Sequence, residues 1–407
     1  MFRLSTLLQP EYIANPYPFY HQLRDHDPVY WEEEMQSWFF TRYSDVMAIL
    51  RTQNLFPEGL AIDISRFPPS VQAVTRPTID ALARHILALD SLEHSLLRRL
   101  IGMVLAPQVV DAFSSRIQQC MDRVLVSLQR KGELEVIREV AYPFTSRCML
   151  DLFGIAEEDR QQCSQWTRDY MDLVEGNIDA PKKLVQALFS VGELVSYLRK
   201  IIAQRGKHPK DDFLQALIRT QEQEGILQSG LLHEEDLLIN YALLLIVGQK
   251  TVVHTISNGL LALLQHPEQL QQLKDDPTLF APAITEILRY DGPVKILVRF
   301  AREDCEIGGK SMKAGQRIIA STSAANRDPE YFSEPDTFDM HRLNKRYLSF
   351  GHGMHNCLGA YLARMQVQIA LSTLFRRFDT LQLSSRPLEW SSSLSIRGLK
   401  QLPLTVF

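Results

Sequence analysis

LSFGHGMHNCLGAYLARMQ, residues 348–366, places one cysteine, two histidines, one phenylalanine and three glycines in a loop that runs into a helix. Phe350, Gly353, Cys357 and Gly359 give the spacing F-x-x-G-x-x-x-C-x-G. Glycines at 351, 353 and 359 suit a backbone that must reach positive φ, so that N–H groups can converge on a sulfur. A helix is expected from Leu358 to about Phe375. Its positive N-terminal end would lower the Cys357 thiol pKa and favour a thiolate. Two readings stay open at this point. One is a buried cysteine in a helix-capping loop; the other is an anionic ligand suited to the axial position of haem iron.

Working outward, the bulk composition is that of an ordinary globular protein: 407 residues, 45% hydrophobic and 23% charged. A net charge of −4, with Lys and Arg scattered, gives no electrostatic reason to expect nucleic acid. The first twenty residues carry Pro10, Glu11 and Pro16, which suits neither a signal peptide nor a membrane anchor. A cytoplasmic location is the expectation. Five cysteines, an odd count without a C-x-x-C pair, argue against a disulfide framework and a zinc cluster. No linker or repeat interrupts the chain, so residues 1–407 are read as one domain.

The periodicity is mostly helical. A helix over Pro18–Arg24, strands near Val29–Tyr30 and Trp38–Phe40, and a helix over Tyr43–Arg51 open the chain. Residues 54–90 are weakly patterned and read as a lid or entrance loop. A helix-rich core covers about 91–290 and 355–380, with apolar three-and-four spacing at 109–131, 143–153, 158–175, 183–204 and 211–224. Glu234 to His266 has no proline and is apolar at its centre, so it predicts a helix of roughly 50 Å at about 1.5 Å per residue. Small β-rich parts are expected at about 25–42, 292–322 and 380–407, with GQRIIASTSAA at 315–325 read as a sheet-type run and the tail SLSIRGLKQLPLTVF, 393–407, as a final hairpin. The class is mainly α with a minor β-sheet region.

Further motifs then fall into place around the cysteine loop. Glu286 and Arg289 form E-x-x-R on one helix face, about seventy residues before Cys357. His94 and Arg98 form H-x-x-x-R in SLEHSLLRRL, and the long helix carries VGQKTVVHT at 247–255. With the loop, these resemble the cytochrome P450 superfamily, most closely its soluble bacterial members and among them the macrolide- and polyketide-modifying ones. The resemblance runs from NPYPFYHQLRDHDPVYW at 15–31 to the end of the chain.

It implies the cytochrome P450 fold, with the long central helix over haem b (iron protoporphyrin IX) held by Cys357 as thiolate. By the same resemblance Arg342, in FDMHR, completes a network with Glu286 and Arg289. His94, Arg98, Arg299 and His355 contact the haem propionates. Phe350 packs on the sulfur side of the ring, limiting water there. Gly248 leaves room above the haem, although a helical glycine costs roughly 1 kcal/mol against alanine. The Thr251 hydroxyl helps hold dioxygen and passes protons toward it. Lys250 departs from the pattern, because the family carries Asp or Glu there. Three readings are open: it pairs with a carboxylate on a neighbouring helix; it binds an anionic substrate group or alters proton delivery; or the reaction is an unusual haem-thiolate one. His254 and Thr255 read as helix-packing residues.

The implied activity is a monooxygenase acting on a lipophilic small molecule, a secondary metabolite by analogy. The alternative is an atypical haem-thiolate protein that couples, rearranges or merely binds its ligand. Electrons are expected from ferredoxin and ferredoxin reductase, with Arg98, Arg99 and Arg364 contributing to a basic docking face. Substrate contacts are expected from 54–90, 165–190, Leu244 and Gly248, Ile296–Val298 and Ser393–Ile396.

Overall fold

A computed structural model describes residues 2–57, 64–65, 67–126, 128, 132–174, 181–344 and 346–407. The chain divides into two compact units. The first comprises Met1–Phe56, Gln118–Phe144 and Thr251–Phe407, and the second Pro57–Ile117 and Thr145–Lys250.

The first unit holds the sheets. A five-stranded sheet runs in the order Val29–Glu32, Ser37–Phe40, Arg317–Ser321, Ile296–Ala301 and Leu55–Pro57. The Ser37–Phe40 and Arg317–Ser321 pair is parallel, with Phe39 opposite Ile319. Alternation decides what each face covers. Phe40, Ile318 and Ala320 join Val46, Ile49 and Leu50 of the helix Tyr43–Arg51 in one apolar cluster. Phe39 and Ile319 point into another, with Tyr20 and Leu23 of the helix Tyr17–His26.

Two expectations for this unit are corrected. The run after Arg317 does not stay extended: Ser321 accepts the N–H of Ala324 at 3.2 Å and starts a short helix, Thr322–Ala325. The last two strands of the tail do not form a hairpin with each other. Leu399–Gln401 pairs with Glu389–Trp390, while Pro403–Val406 lies between Gly132–Glu135 and Leu381–Leu383.

The second unit is helical in its longer elements, among them Leu92–Val104, Arg160–Val174, Pro181–Arg205 and Phe213–Gln223. The weakly patterned 54–90 stretch contains a 14-residue helix, Pro69–Leu82, with Pro69 in its first turn and Pro77 inside it. Proline fits the first turn because that N–H has no partner in the helix anyway. Residues 58–63 and 66 of the expected lid lie outside the described residues, as do 175–180 of the expected substrate segment 165–190.

Glu234–Gln265 is one helix of 32 residues, ended by His266 and Pro267. By length and composition it could cross a bilayer, but 72% of its most apolar window is buried inside the protein. It is a core helix, apolar on more than one face. Its close approaches are set by glycine. A Cβ on Gly259 would lie 2.8 Å from Ile287 Cγ2 on the helix Phe280–Asp291.

Candidate functional site

The cysteine loop is shaped by two of its three glycines. Gly351 and Gly353 have φ of 68° and 72°, where a side chain is strained. A Cβ on Gly353 would also meet the Leu50 carbonyl oxygen at 2.3 Å. Gly359 corrects the expectation: its φ is −81° and it caps the helix Ala360–Arg377 in ordinary backbone. A Cβ there would sit 4.0 Å from Cys357 Sγ. The loop closes on itself through Cys357 N–H to Phe350 O at 2.8 Å and Asn356 N–H to Gly353 O at 3.1 Å. Asn326, which the sequence did not mark out, clamps its start. Its Oδ1 accepts from Leu348 N–H at 2.7 Å and its Nδ2 donates to Ser349 Oγ at 2.8 Å.

Cys357 is exposed, whereas Cys120, Cys148 and Cys163 are buried and Cys305 is half-buried. Burial pushes the Cys163 thiol up to about 12, so it stays protonated and inert. The reading of Cys357 as a buried capping residue is therefore wrong for this loop. Among the described residues no three His, Cys, Asp or Glu side chains gather as a metal cluster. A single exposed cysteine would suit a metal that brings most of its own ligands. Phe350 lies beside Tyr347, ring centroids 6.0 Å apart.

Behind the loop, Glu286, Arg289 and Arg342 meet in the interior. Arg289 donates to both Glu286 oxygens, at 2.8 and 2.6 Å, and to the carbonyls of Asn326, Pro335 and Thr337. Arg342 donates to Glu286 Oε1 at 3.3 Å and to the carbonyls of Ser333, Glu334 and Thr337. The one carboxylate thus serves two guanidiniums that together hold the 333–342 coil against the helix Phe280–Asp291.

Arg299 is different in kind. Among the described residues seven arginines are buried, and Arg24, Arg205, Arg289, Arg327, Arg342 and Arg397 each have a carboxylate partner. Arg299, 9% exposed, donates only to the Val298 carbonyl at 2.8 Å. Burial lowers its pKa with no carboxylate to offset the loss. A desolvated cation is costly unless an anion meets it, and a porphyrin propionate is such an anion. The donor set therefore fits haem: one exposed thiol, and one buried guanidinium in want of a negative charge. His355 ends the short turn Gly353–His355 of the same unit.

In the second unit His94 and Arg98 lie one turn apart on Leu92–Val104. His94 is fully buried, and its pKa is lowered by that burial first and by Arg98 second. The long helix holds Gly248, Lys250 and Thr251. The Gly248 position faces a methionine: a Cβ would come 2.6 Å from Met149 Cε and 2.9 Å from Sδ. The glycine thus admits Met149, an explanation separate from room over a cofactor. Gly248→Ala should destabilise the protein by about 1 kcal/mol, overpacking outweighing the gain in helix propensity. In a Met149→Ala background the same change should stabilise by a similar amount. Denaturant titration of the four proteins tests the reversal.

Lys250 Nζ donates to Asp172 Oδ1 at 2.8 Å, on the last turn of Arg160–Val174. Thr251 offers its carbonyl to Thr255 Oγ1 at 2.8 Å. His254 packs against the chain at Gly398, where a Cβ would be 2.0 Å from Nδ1. Two of the expected docking arginines already have work to do. Arg364 donates to Tyr347 Oη at 2.8 Å and Thr285 Oγ1 at 2.7 Å, and Arg99 pairs with Glu224.

Known proteins show which family the chain resembles over its length. The family described as Cytochrome P450 matches residues 63–278 and 277–400. The biotin biosynthesis cytochrome P450 of Bacillus subtilis (strain 168) is 33% identical over 413 aligned positions, covering 98% of each chain. The crystal structure of P450BioI, in complex with a hexadec-9Z-enoic acid ligated acyl carrier protein, superposes with a TM-score of 0.88. It is 31% identical and covers 98% of this chain and 99% of that one. The bacillaene polyketide synthase cytochrome P450 PksS of Bacillus subtilis 168 gives a TM-score of 0.86 at 31% identity, covering all of both. Soluble bacterial relatives of this kind take a small-molecule substrate and electrons from redox partners. The chain belongs to the cytochrome P450 family and is a monooxygenase whose haem is carried on a cysteine thiolate.

Proposed function

We propose that the whole chain, 1–407, works in the cytoplasm as one catalytic domain that hydroxylates or epoxidises a lipophilic small molecule of biosynthetic or secondary metabolism. The acyl chain borne by the P450BioI partner makes an acyl-chain lipophile the favoured class. Ferredoxin, reduced by ferredoxin reductase, supplies the electrons. The observation that carries this reading is Arg299, the buried arginine left without a carboxylate.

Cys357 holds the iron through its thiolate. Arg299 and His355, with His94 and Arg98, meet the propionates, and Phe350 keeps water from the sulfur. When bound, the haem supplies dioxygen activation, one oxygen atom entering the substrate and the other leaving as water after two electrons and two protons are taken up. Gly248 lets the long helix approach its neighbour, and Thr251 holds and passes a proton at Oγ1. The pairing with Asp172 supports the reading in which Lys250 is engaged by a neighbouring helix and is not the substrate's anchor. That leaves ordinary oxygenation favoured over coupling, rearrangement or binding without turnover.

Cys357→His tests the ligand. The ferrous carbonyl adduct of the natural protein should show the red-shifted Soret band of a thiolate, and the variant the band of an imidazole-ligated haem. Identical spectra would remove Cys357 from the iron. With a surrogate ferredoxin system, NADPH consumption matched by product separates turnover from mere binding.

A further inference from the structure

Thr251, His254 and Asn258 stand three and four residues apart on the long helix, so they share one stripe of its surface. The last two positions of that stripe are buried and hold one stretch of chain. Asn258 Nδ2 donates to the carbonyls of Asp291 at 3.1 Å and Arg397 at 3.2 Å. His254 presses on the next residue, Gly398, where a Cβ would come 2.0 Å from Nδ1 and 2.3 Å from Cε1. The φ of Gly398 lies outside the left-handed region. It is therefore the imidazole, and not the backbone, that requires glycine there.

From this contact the chain runs to the strand of the buried arginine. Arg397 N–H donates to Pro293 O at 2.7 Å, Lys295 N–H donates to Ser395 O at 2.8 Å, and Val294 pairs with Ile396. Residues 293–295 lead into Ile296–Ala301, which carries Arg299. The stretch 393–398 thus spans from the helix of Thr251 to the strand of Arg299, all within the first unit. Its bonds beside that strand are made by backbone, which any sequence could supply. On the helix side the partners are two side chains, an imidazole that holds the chain off and an amide that draws it in. Hydrogen bonds weaken beyond about 3.2 Å, so the amide fixes a distance and not merely an attachment.

We infer that His254 and Asn258 are positioning residues: as spacer and tether on 397–398 they set the gap between the Thr251 turn and the Arg299 strand, and with it the breadth of lipophile admitted beside the haem. The inference rests on the oxidation of a lipophile proposed above, and deepens it by naming what sets the width of the site.

The test uses haem-loaded protein with 1-hexylimidazole, which is slender, and 1-(1-adamantyl)imidazole, which is broad. Both bind haem iron through the ring nitrogen and shift the Soret band, so the ratio of their affinities reads the gap without turnover. Gly398→Ala pushes the chain off the imidazole and should raise the ratio of broad to slender about fivefold, the scale of one polar contact. Asn258→Leu cuts the tether and should move it the same way. His254→Ala removes the spacer and should move it oppositely, with the His254→Ala/Gly398→Ala protein between the two singles. Each single change should also lower the denaturant midpoint, and loss of stability alone cannot drive the ratio in opposite directions. Ratios that stay natural while the midpoints fall would make both residues structural and overturn the inference. So would Gly398→Ala and His254→Ala shifting the same way, or a natural protein whose Soret band neither imidazole moves. Methyl hexadecanoate with a surrogate ferredoxin system tests the parent reading separately: no oxidised product from the natural protein sinks the acyl-chain class, while the affinity ratios still decide the gap.

Discussion

Glu286→Ala should give a chain that does not accumulate as soluble, haem-loaded protein. Two guanidiniums, 2% and 8% exposed, share that carboxylate. Their other bonds go to backbone carbonyls, which satisfy N–H groups but not charge. Removing the one anion that meets them among the described residues leaves two buried cations, and breaking one such pair costs about 3–5 kcal/mol. Net stabilities are about 5–15 kcal/mol, so the loss takes most of what a domain has. The damage is also directional. Asp339 N–H loses its acceptor, Glu286 Oε1 at 3.0 Å. The 333–342 coil is then released from the helix beneath it, next to the Asn326 clamp on the cysteine loop.

Glu286→Gln separates charge from shape. The amide keeps one oxygen but turns an NH2 toward a guanidinium, so it should rescue little. The readouts are soluble yield and the ratio of Soret to protein absorbance. Natural levels of both in either variant would mean that the carbonyl cage alone suffices.

What could be read in advance depended on whether the signal was local. The long helix was legible because thirty-two residues without proline end at His266-Pro267. The helix Tyr43–Arg51 was legible from its apolar spacing. Glu286 with Arg289 meant something only through its distance from the cysteine loop, since E-x-x-R occurs on many surface helices. The helix Pro69–Leu82 was hidden because Pro68, Pro69 and Pro77 read as breakers, although a proline in the first turn starts a helix. Partners that meet across sequence could not be identified from spacing alone. Nothing in the spacing joins Lys250 to Asp172, 78 residues apart, or Gly248 to Met149. The tail was misread for a related reason: its last two strands do not pair with each other, and Pro403–Val406 takes one partner, Gly132–Glu135, from far along the chain. The exception among arginines, Arg299, became visible only when the six other buried ones were seen to be paired.

The second large effect is expected at Lys295, and it concerns pH. This lysine is 4% exposed, and its Nζ donates to the Ser393 carbonyl. Burial first and Arg397 second, opposed by Asp291, lower its pKa to about 7 from an ordinary 10.5. Asp291 cannot do more, because Tyr17 Oη and the Arg397 guanidinium already hold its Oδ1. Between pH 7 and 10.5 the unfolded chain binds the proton and the folded chain does not, so stability rises with pH across that window. Below it both forms are charged, and the folded state bears the full penalty of a buried ammonium. A shift of this size corresponds to about 5 kcal/mol. Other groups titrate in the same range, so the natural protein alone cannot isolate the effect; the difference from Lys295→Met can. The variant loses one hydrogen bond, about 1 kcal/mol, but carries no charge. It should be several kcal/mol more stable than the natural protein at pH 7, and the advantage should shrink and change sign by pH 10. Denaturant titrations at pH 7, 8, 9 and 10 read that difference directly. A difference that stays flat with pH would mean that Lys295 keeps its proton in the folded chain, held by groups beyond the Ser393 carbonyl.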